Sequence, residues 1–437
     1  MKHFLLPLVA LVPFFAQATH ITLDDTIESQ VFYKGCVYTY KITVPAEYNG
    51  LKPACLYVGL DGILCHAPEV IDTLITTGEM PVTIGVFLQP GLIKDGNGRV
   101  IRYNRSNEFD KPTPTFVTFL EKELLPRVEG TVTPDGRRIK LSHNGADRMI
   151  FGLSSGGIAA FTAAWHRPDM FGRVFSGVGT FVAMRGGNDW QAIVRKHEPK
   201  PLKIFLQDGS NDAWNPLFGH WYEGNQMLAS ALDFAGYDAK YDWSDGGHNV
   251  NRATAIFSQV MRWMWSDWGK PIEPGETQND FLSETLVKGS KWTIFNDEIK
   301  FSPMTEPTFY PDSSLVATRV KGDNCLWQFI LDSNGELQSG EPFYWLHNYD
   351  NALLRIGDKT FDSNGNLWVA TSAGLQVCDQ NGRVRGIFDM PDTYNMPLHL
   401  IVSEGQIVLV YNYGAWSRKF NVKPAIPGVT PKSQGQG

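Results

Sequence analysis

From residue 36 to 268 the chain alternates short apolar runs with stretches in which apolar residues recur every three to four positions. This pattern predicts strands over 37–44, 54–59, 82–88, 148–152, 174–177, 203–207 and 239–243. Helices are predicted over 115–125, with Phe116, Phe119, Leu120 and Leu124 on one face, and over 256–265, with Ile256, Val260, Met261 and Met264 aligned the same way. Strands alternating with helices imply an α/β domain with a mostly parallel sheet and helices on both faces.

The pattern breaks at 269–290, "GKPIEPGETQNDFLSETLVKGS", which carries two prolines and no sustained periodicity and reads as a linker. Beyond it helical patterns nearly vanish. "LVATRVKGDNCLWQFILDSNGEL" from Leu315 and "LWVATSAGLQVCDQNGRV" from Leu367 share a strand, a turn, a second strand and an Asn-Gly turn, and "GQIVLVYNYGAWSRKF" from Gly405 is a weaker copy. A period of about 40 to 50 residues with several short strands each is the pattern of propeller blades. The segment holds about three blades where closed propellers have about four to eight, so a partial propeller-like domain, or three sheets packed otherwise, is expected. If such a domain leaves strand edges open, pairing with a second copy of the chain, a homodimer through the C-terminal domain, is one way to cover them. The expected organisation is a signal peptide over 1–18, an α/β domain over 19–268, a linker over 269–290, a β-repeat domain over 291–424 and a flexible tail over 425–437.

Composition adds limits. With 437 residues, 43% hydrophobic and 19% charged, the chain is an ordinary globular protein too long for one core. A net charge of −7 without a long Lys/Arg run excludes nucleic acid as the expected partner. Lys2 precedes an apolar run over 4–15, broken by Pro7 and Pro13, and then Ala16-Gln17-Ala18. That is the anatomy of an export signal cleaved after Ala18, and it predicts a secreted or periplasmic protein. The run falls short of the ~20 apolar residues of a membrane span, so no membrane span is expected. Cys36, Cys55, Cys65, Cys325 and Cys378 fit no zinc spacing. Buried thiols are the expected state, with a Cys36/Cys55 or Cys55/Cys65 bridge left open, and an odd count leaves at least one thiol unpaired within the monomer.

The chemistry concentrates where the strand at 148–152 turns into a helix. Gly152-Leu153-Ser154-Ser155-Gly156 matches G-x-S-x-G, a strained strand-to-helix turn that projects a serine hydroxyl from the sheet edge. A helix beginning near Gly157 would aim its N-terminal N–H groups at developing negative charge. Ser154 is preferred over Ser155 as nucleophile, because Leu153 would then occupy a position that demands a small residue. In this arrangement an acid and a histidine follow the serine at later strand ends. "IFLQDGSNDAWN" offers Asp208 and Asp212, and "YDWSDGGHNVN" offers Asp245 and His248. His248 is the expected base. Asp212 is favoured over Asp208, which could equally close an Asx turn, and Asp245 is too near His248. Oxyanion donors are expected from Ser155 N–H and from the loop in "YVGLDGILCH", with Ile63 first and Gly62 or Asp61 as alternatives. Trp214, Trp221 and Tyr222 could stack on a sugar or phenolic ring or simply pack a lid. This chemistry calls for no metal and no cofactor.

With these residues in place the chain resembles the esterase D and enterochelin-esterase-like branch of the α/β hydrolases, which includes feruloyl and acetyl-xylan esterases. The resemblance runs from about residue 28 to 268. It rests on "FYKGCVYTYKITVPAEY", "VGLDG", "NRSNEFD", "FLEKELLPRV", "DRMIFGLSSGGIAAFTAAWHRPDMFGRVFSGVG", "LQDGSNDAWN" and "GGHN". It implies an α/β-hydrolase fold with Ser154, Asp212 and His248 as triad and Ile63 and Ser155 as oxyanion donors. It also implies that Arg105 and Glu108 order the loop over the site. Cys36 and Val37 stand where relatives often begin Gly-Thr-x-Arg, a departure from the pattern. "FDSNGNLWVATSAGLQVCDQNGRVRGIFDMP" resembles a blade of gluconolactonase and regucalcin-like propellers. The implied activity is a secreted serine esterase acting on acyl or feruloyl esters of polysaccharide origin. The alternatives are a ferric-siderophore esterase, whose anion-holding pocket would use Arg185, and an acyltransferase on the same fold.

Overall fold

The computed structural model describes residues 20–297, 307–320, 325–349 and 354–434. The export signal expected over 1–18 lies outside the described residues.

One ten-stranded sheet organises the first part of the chain. Its strands are β1 (Ile21–Glu28), β2 (Val37–Val44), β3 (Cys55–Leu60), β4 (Thr83–Leu88), β5 (Leu92–Lys94), β6 (Val100–Tyr103), β7 (Arg148–Leu153), β8 (Arg173–Gly177), β9 (Lys203–Gly209) and β10 (Asp238–Ser244). The order β10-β9-β8-β7-β3-β4 is parallel throughout. Beyond β4 the sheet turns antiparallel, with β2 bordered by β1 and β5, and β6 outermost. The sheet is thus mixed, with the six strands of the expected parallel part and four antiparallel strands beside them. The antiparallel flank is β2 with β1, β5 and β6, whose alternating or half-exposed runs lack the continuous apolar character of buried parallel strands.

Both faces of the parallel part are covered, and successive side chains divide between two cores. Along β3, Leu56 and Val58 enter one core and Cys55 and Tyr57 the other. The first core lies beneath α2 (Ser155–His166) and α3 (Trp221–Phe234). The second lies beneath α1 (Ala67–Thr76) and α4 (Asn251–Trp265), where Ile256, Val260, Met261 and Met264 are buried as their spacing requires. The helical run predicted from Thr115 continues to Glu129 through a π-turn at Leu120–Leu124. Pro126, which has no N–H for an i→i−4 bond, follows that turn after one residue, Leu125.

The C-terminal part is all β. Three four-stranded antiparallel sheets follow the three sequence repeats, and among the described residues they close no propeller. The first comprises Thr308–Phe309, Leu315–Arg319, Leu326–Leu331 and Leu337–Tyr344, and the second Ile356–Phe361, Leu367–Thr371, Gly374–Cys378 and Val384–Phe388. The third takes His399–Ser403, Gln406–Tyr411 and Gly414–Lys419 from the end of the chain and adds Thr293–Ile294 from its beginning. The repeated Asp-x-Asn-Gly turns are built alike: Asp332, Asp362 and Asp379 each accept two backbone N–H groups through Oδ1 at 2.8–3.0 Å.

Within 269–290, Asp280–Thr285 is helical and Leu282 is buried among the β sheets. Farther on, Gly428 N–H donates to Pro311 O at 2.7 Å, and Gln434 reaches Asn366 Oδ1 at 2.9 Å. Ion pairs join the two parts. Glu198 and Arg418, each 11% exposed, meet at 2.8 Å, and Lys200 Nζ reaches Asp389 Oδ1 at 2.6 Å. Cys36, Cys55, Cys65 and Cys378 are buried, unbridged thiols. Burial pushes the Cys65 thiol up to about 11, so these cysteines stay neutral and pack as small hydrophobes. No described helix is long and apolar enough to cross a membrane.

Candidate active site

Between β7 and α2 the backbone of Ser154 takes φ +58° and ψ −123°, a strained conformation for a residue with a side chain. Its surroundings enforce it. Ser154 N–H donates to Gly177 O at 2.9 Å, and its carbonyl accepts from Gly157 N–H at 2.9 Å and Thr180 N–H at 3.2 Å. A Cβ on Gly152 would overlap the Gly156 carbonyl, so only glycine lets the turn close this tightly. The helix begins at Ser155, two residues earlier than expected, which puts Ser155 N–H at its unpaired N-terminus.

The loops after β9 and β10 are zipped together by Ser210 N–H to Ser244 O at 2.8 Å and Asn211 N–H to Gly246 O at 3.0 Å. That pairing brings their side chains to the serine. His248 Nε2 lies 2.8 Å from Ser154 Oγ, and His248 Nδ1 lies 2.6 Å from Asp212 Oδ1. The Ala213 N–H also donates to Asp212 Oδ1. Burial pushes the Asp212 carboxyl up, but hydrogen bonds from His248, Asp208 and Ala213 outweigh it and hold the group below the ordinary carboxylate range.

Asp208 stays away from the imidazole. Its Oδ1 accepts the Gly209 N–H at 2.7 Å and its Oδ2 accepts Asn225 Nδ2–H at 2.7 Å. Asp245 meets the other loop only through its backbone carbonyl, which takes Asn211 Nδ2–H at 2.7 Å.

The loop after β3 is held from outside. Asp61 (φ +63°) and Gly62 (φ +82°) are both left-handed, and the Arg105 guanidinium grips the Asp61 carboxylate at 2.6 and 2.8 Å. Arg105 also donates to Leu153 O at 3.3 Å, tying this loop to the turn that carries Ser154. Glu108 is buried and anchors the base of the same segment: its carboxyl accepts Tyr38 Oη–H at 2.7 Å, Asn104 Nδ2–H at 2.5 Å and Gly91 N–H at 3.1 Å. Burial keeps that carboxyl above its usual range.

The aromatics divide. Trp221 is buried and sets its ring edge-on to the His248 ring at 5.8 Å, while its Nε1–H reaches Thr180 Oγ1 at 3.3 Å. Tyr222 packs on Trp243. Trp214, 66% exposed, stands on a two-strand hairpin immediately after Asp212. Arg185 is exposed and donates to Ser106 Oγ at 3.2 Å. Sequence reasoning missed Thr180, whose Oγ1 lies 3.5 Å from Ser154 Oγ, and Asn225, the partner of Asp208. Neither sits in a motif. Thr180 lies three residues beyond a strand end, and Asn225 is one polar position on an ordinary helix face.

Residues 32–337, more than two thirds of the chain, match the model of the Esterase family, described as "Putative esterase". The chain belongs to this esterase family. It is a carboxylic ester hydrolase, and its mixed sheet with flanking helices fits the α/β-hydrolase fold. Among solved structures it is similar to a ferulic acid esterase at 20% identity and TM-score 0.44, over 56% of this chain and 98% of that one. It is similar to the enterobactin esterase of Shigella flexneri at 21% identity and TM-score 0.45, over 57% of this chain and 61% of that one. A feruloyl esterase module from Clostridium thermocellum follows at 12% identity and TM-score 0.40, over 58% of this chain and 91% of that one. No curated protein matches the chain.

Proposed function

We propose that this esterase works through a Ser154–His248–Asp212 triad, and that the two hydrogen bonds of His248, at 2.8 Å to Ser154 and 2.6 Å to Asp212, carry the reading. Ser154 Oγ attacks the ester carbonyl while His248 Nε2 takes its proton. Asp212 holds the imidazole in the tautomer with Nδ1 protonated and stabilises the imidazolium. The oxyanion falls to the N–H groups of Ile63 and Ser155, where the N-terminus of α2 adds positive potential. His248 returns its proton to the departing alcohol. Water, activated by the same imidazole, then releases the acid from Ser154.

Arg105 positions rather than reacts in this scheme: by gripping Asp61 it fixes the loop that supplies Ile63 N–H. Arg105→Met is expected to lower kcat by about 100-fold with a smaller change in KM, the loss typical of one oxyanion donor. Steady-state kinetics check this, and an unchanged kcat would remove the Asp61 loop from the oxyanion site.

The proposed substrates are acyl or feruloyl esters of polysaccharide origin, met outside the cytoplasm after export. Exposed Trp214, two residues after Asp212, supports a ring-shaped substrate group. Arg105 is committed to Asp61, and the other arginine considered for a siderophore-like anion, Arg185, is an exposed side chain hydrogen-bonded to Ser106. The test is acid release from para-nitrophenyl acetate, methyl ferulate, acetylated xylan and a ferric catecholate triester. Turnover of the carbohydrate or feruloyl esters supports the reading. Turnover of the siderophore alone overturns the substrate class, and acyl transfer to an added alcohol in preference to water identifies a transferase.

A further inference from the structure

Beneath the proposed triad lies a second acid that its chemistry does not use. Asp208 is fully buried, and its carboxyl lies within hydrogen-bonding reach of the Asp212 carboxyl. Asp212 Oδ2 is buried and receives no N–H or hydroxyl from any described residue. The remaining neighbours of Asp208 are neutral: the Gly209 N–H from its own strand, Asn225 from α3, and Ser244 from β10, whose Oγ lies 3.5 Å from the Asp208 carbonyl. Among the described residues no cation pairs with Asp208, and His248 meets Asp212 through its other oxygen, Oδ1.

Two carboxylates in contact without a cation cannot both be ionised at modest cost, so the pair retains one proton. Asp212 faces the imidazole N–H and keeps the negative charge. We propose that Asp208 is a positioning residue that works as a neutral carboxylic acid, donating its proton to Asp212 Oδ2 and so fixing the carboxylate that orients His248. The pair then presents one charge to the imidazole, and Asp212 is held on both oxygens. Burial, and secondarily Asp212, push the Asp208 carboxyl up to about 9, so the device is intact at neutral pH and fails as pH rises through that value. Its ionisation would then remove the hydrogen bond and set a second negative charge beside Asp212.

The inference rests on the triad reading, and the experiment separates the two. Wild type, Asp208→Asn, Asp208→Ala and Ser154→Ala are compared on para-nitrophenyl acetate from neutral to alkaline pH, with spontaneous hydrolysis subtracted. The infrared carbonyl band of a buried protonated carboxyl is followed in parallel and needs no turnover. Asp208→Asn, whose amide can still donate, is expected to keep kcat within about threefold at neutral pH, whereas Asp208→Ala loses about 10- to 100-fold. The wild-type rate falls near pH 9, and that limb is absent in Asp208→Asn. The infrared band is present at neutral pH, vanishes as the limb is crossed, and is missing in Asp208→Asn. A shared alkaline limb, equal losses in the two variants, or no band that depends on Asp208 would each overturn the proposal. If Asp208→Ala does not fold, the Asp208→Asn profile and band decide it. An active Ser154→Ala overturns the triad itself, and the role given to Asp208 with it.

Discussion

Ser154→Ala is expected to leave a folded protein whose kcat is about 10⁴- to 10⁶-fold below wild type, the loss that follows removal of the serine nucleophile from the proposed triad. The fold should survive because the strain at this position is backbone strain, held by Gly177, Gly157 and Thr180 rather than by the hydroxyl. His248→Ala should fall to a similar floor, and the double variant no further, because the two groups act as a unit. Circular dichroism with burst kinetics on para-nitrophenyl acetate checks all three proteins. A Ser154→Ala enzyme within tenfold of wild type would place the nucleophile elsewhere.

The second large effect is on stability. Arg173, fully buried on β8, and Lys203, 4% exposed on β9, both pair with Asp267 just beyond α4, at 2.6 and 2.8 Å. Arg173 also donates to Ala146 O at 2.8 Å and to Met264 O, and both cations lie over tryptophan rings, Trp265 and Trp263. Asp267→Ala leaves two cations in a poorly solvated place and is expected to cost about 3 kcal/mol, the low end for a broken buried pair because the aspartate is itself one third exposed. The loosened element is α4, whose N-terminal end follows the loop of His248, so activity near the unfolding midpoint should fail early. Burial pushes the Asp267 carboxyl up, but Lys203 and Arg173 outweigh it and lower it. Its stabilisation is therefore fully present above the ordinary Asp value and is lost as pH falls through the lowered one. Denaturant titrations at neutral and acidic pH measure this. Wild type and Asp267→Ala should converge at low pH, and a gap that persists there would assign the loss to packing.

What the sequence revealed about the site was local. The G-x-S-x-G turn needs five adjacent residues, Asp212 follows the buried strand β9, and His248 follows β10, a half-exposed strand with alternating apolar residues, so their positions could be read without knowing the pairing. The central parallel strands were legible for the same reason, because burial on both faces writes unbroken apolar runs. The antiparallel flank was not. β1 alternates intermediate and exposed positions because its outer face meets solvent, and its place beside β2 depends on pairing that no single segment announces. Helices α1 and α3 escaped notice as well. Pro68 sits in the first turn of α1, where proline is tolerated, and α3 carries Gly224 and Asn225 among its apolar positions. The pairing of Asp208 with Asp212 had no sequence signature at all, since one lies at the end of a strand and the other in the turn after it, and the course of that turn is not written in residue type.

The third C-terminal sheet borrows Thr293–Ile294, which pairs with Ser417 and Trp416 more than a hundred residues later. During synthesis those two early residues leave the ribosome long before their partners exist. The hydrolase sheet, complete by residue 244, can form while the β region is still being made. The final sheet can close only after nearly the whole chain has emerged. A chain ending anywhere in the last repeat would therefore hold the strands of the hydrolase sheet but leave this final sheet unfinished, with bare strand edges open to pairing with other chains.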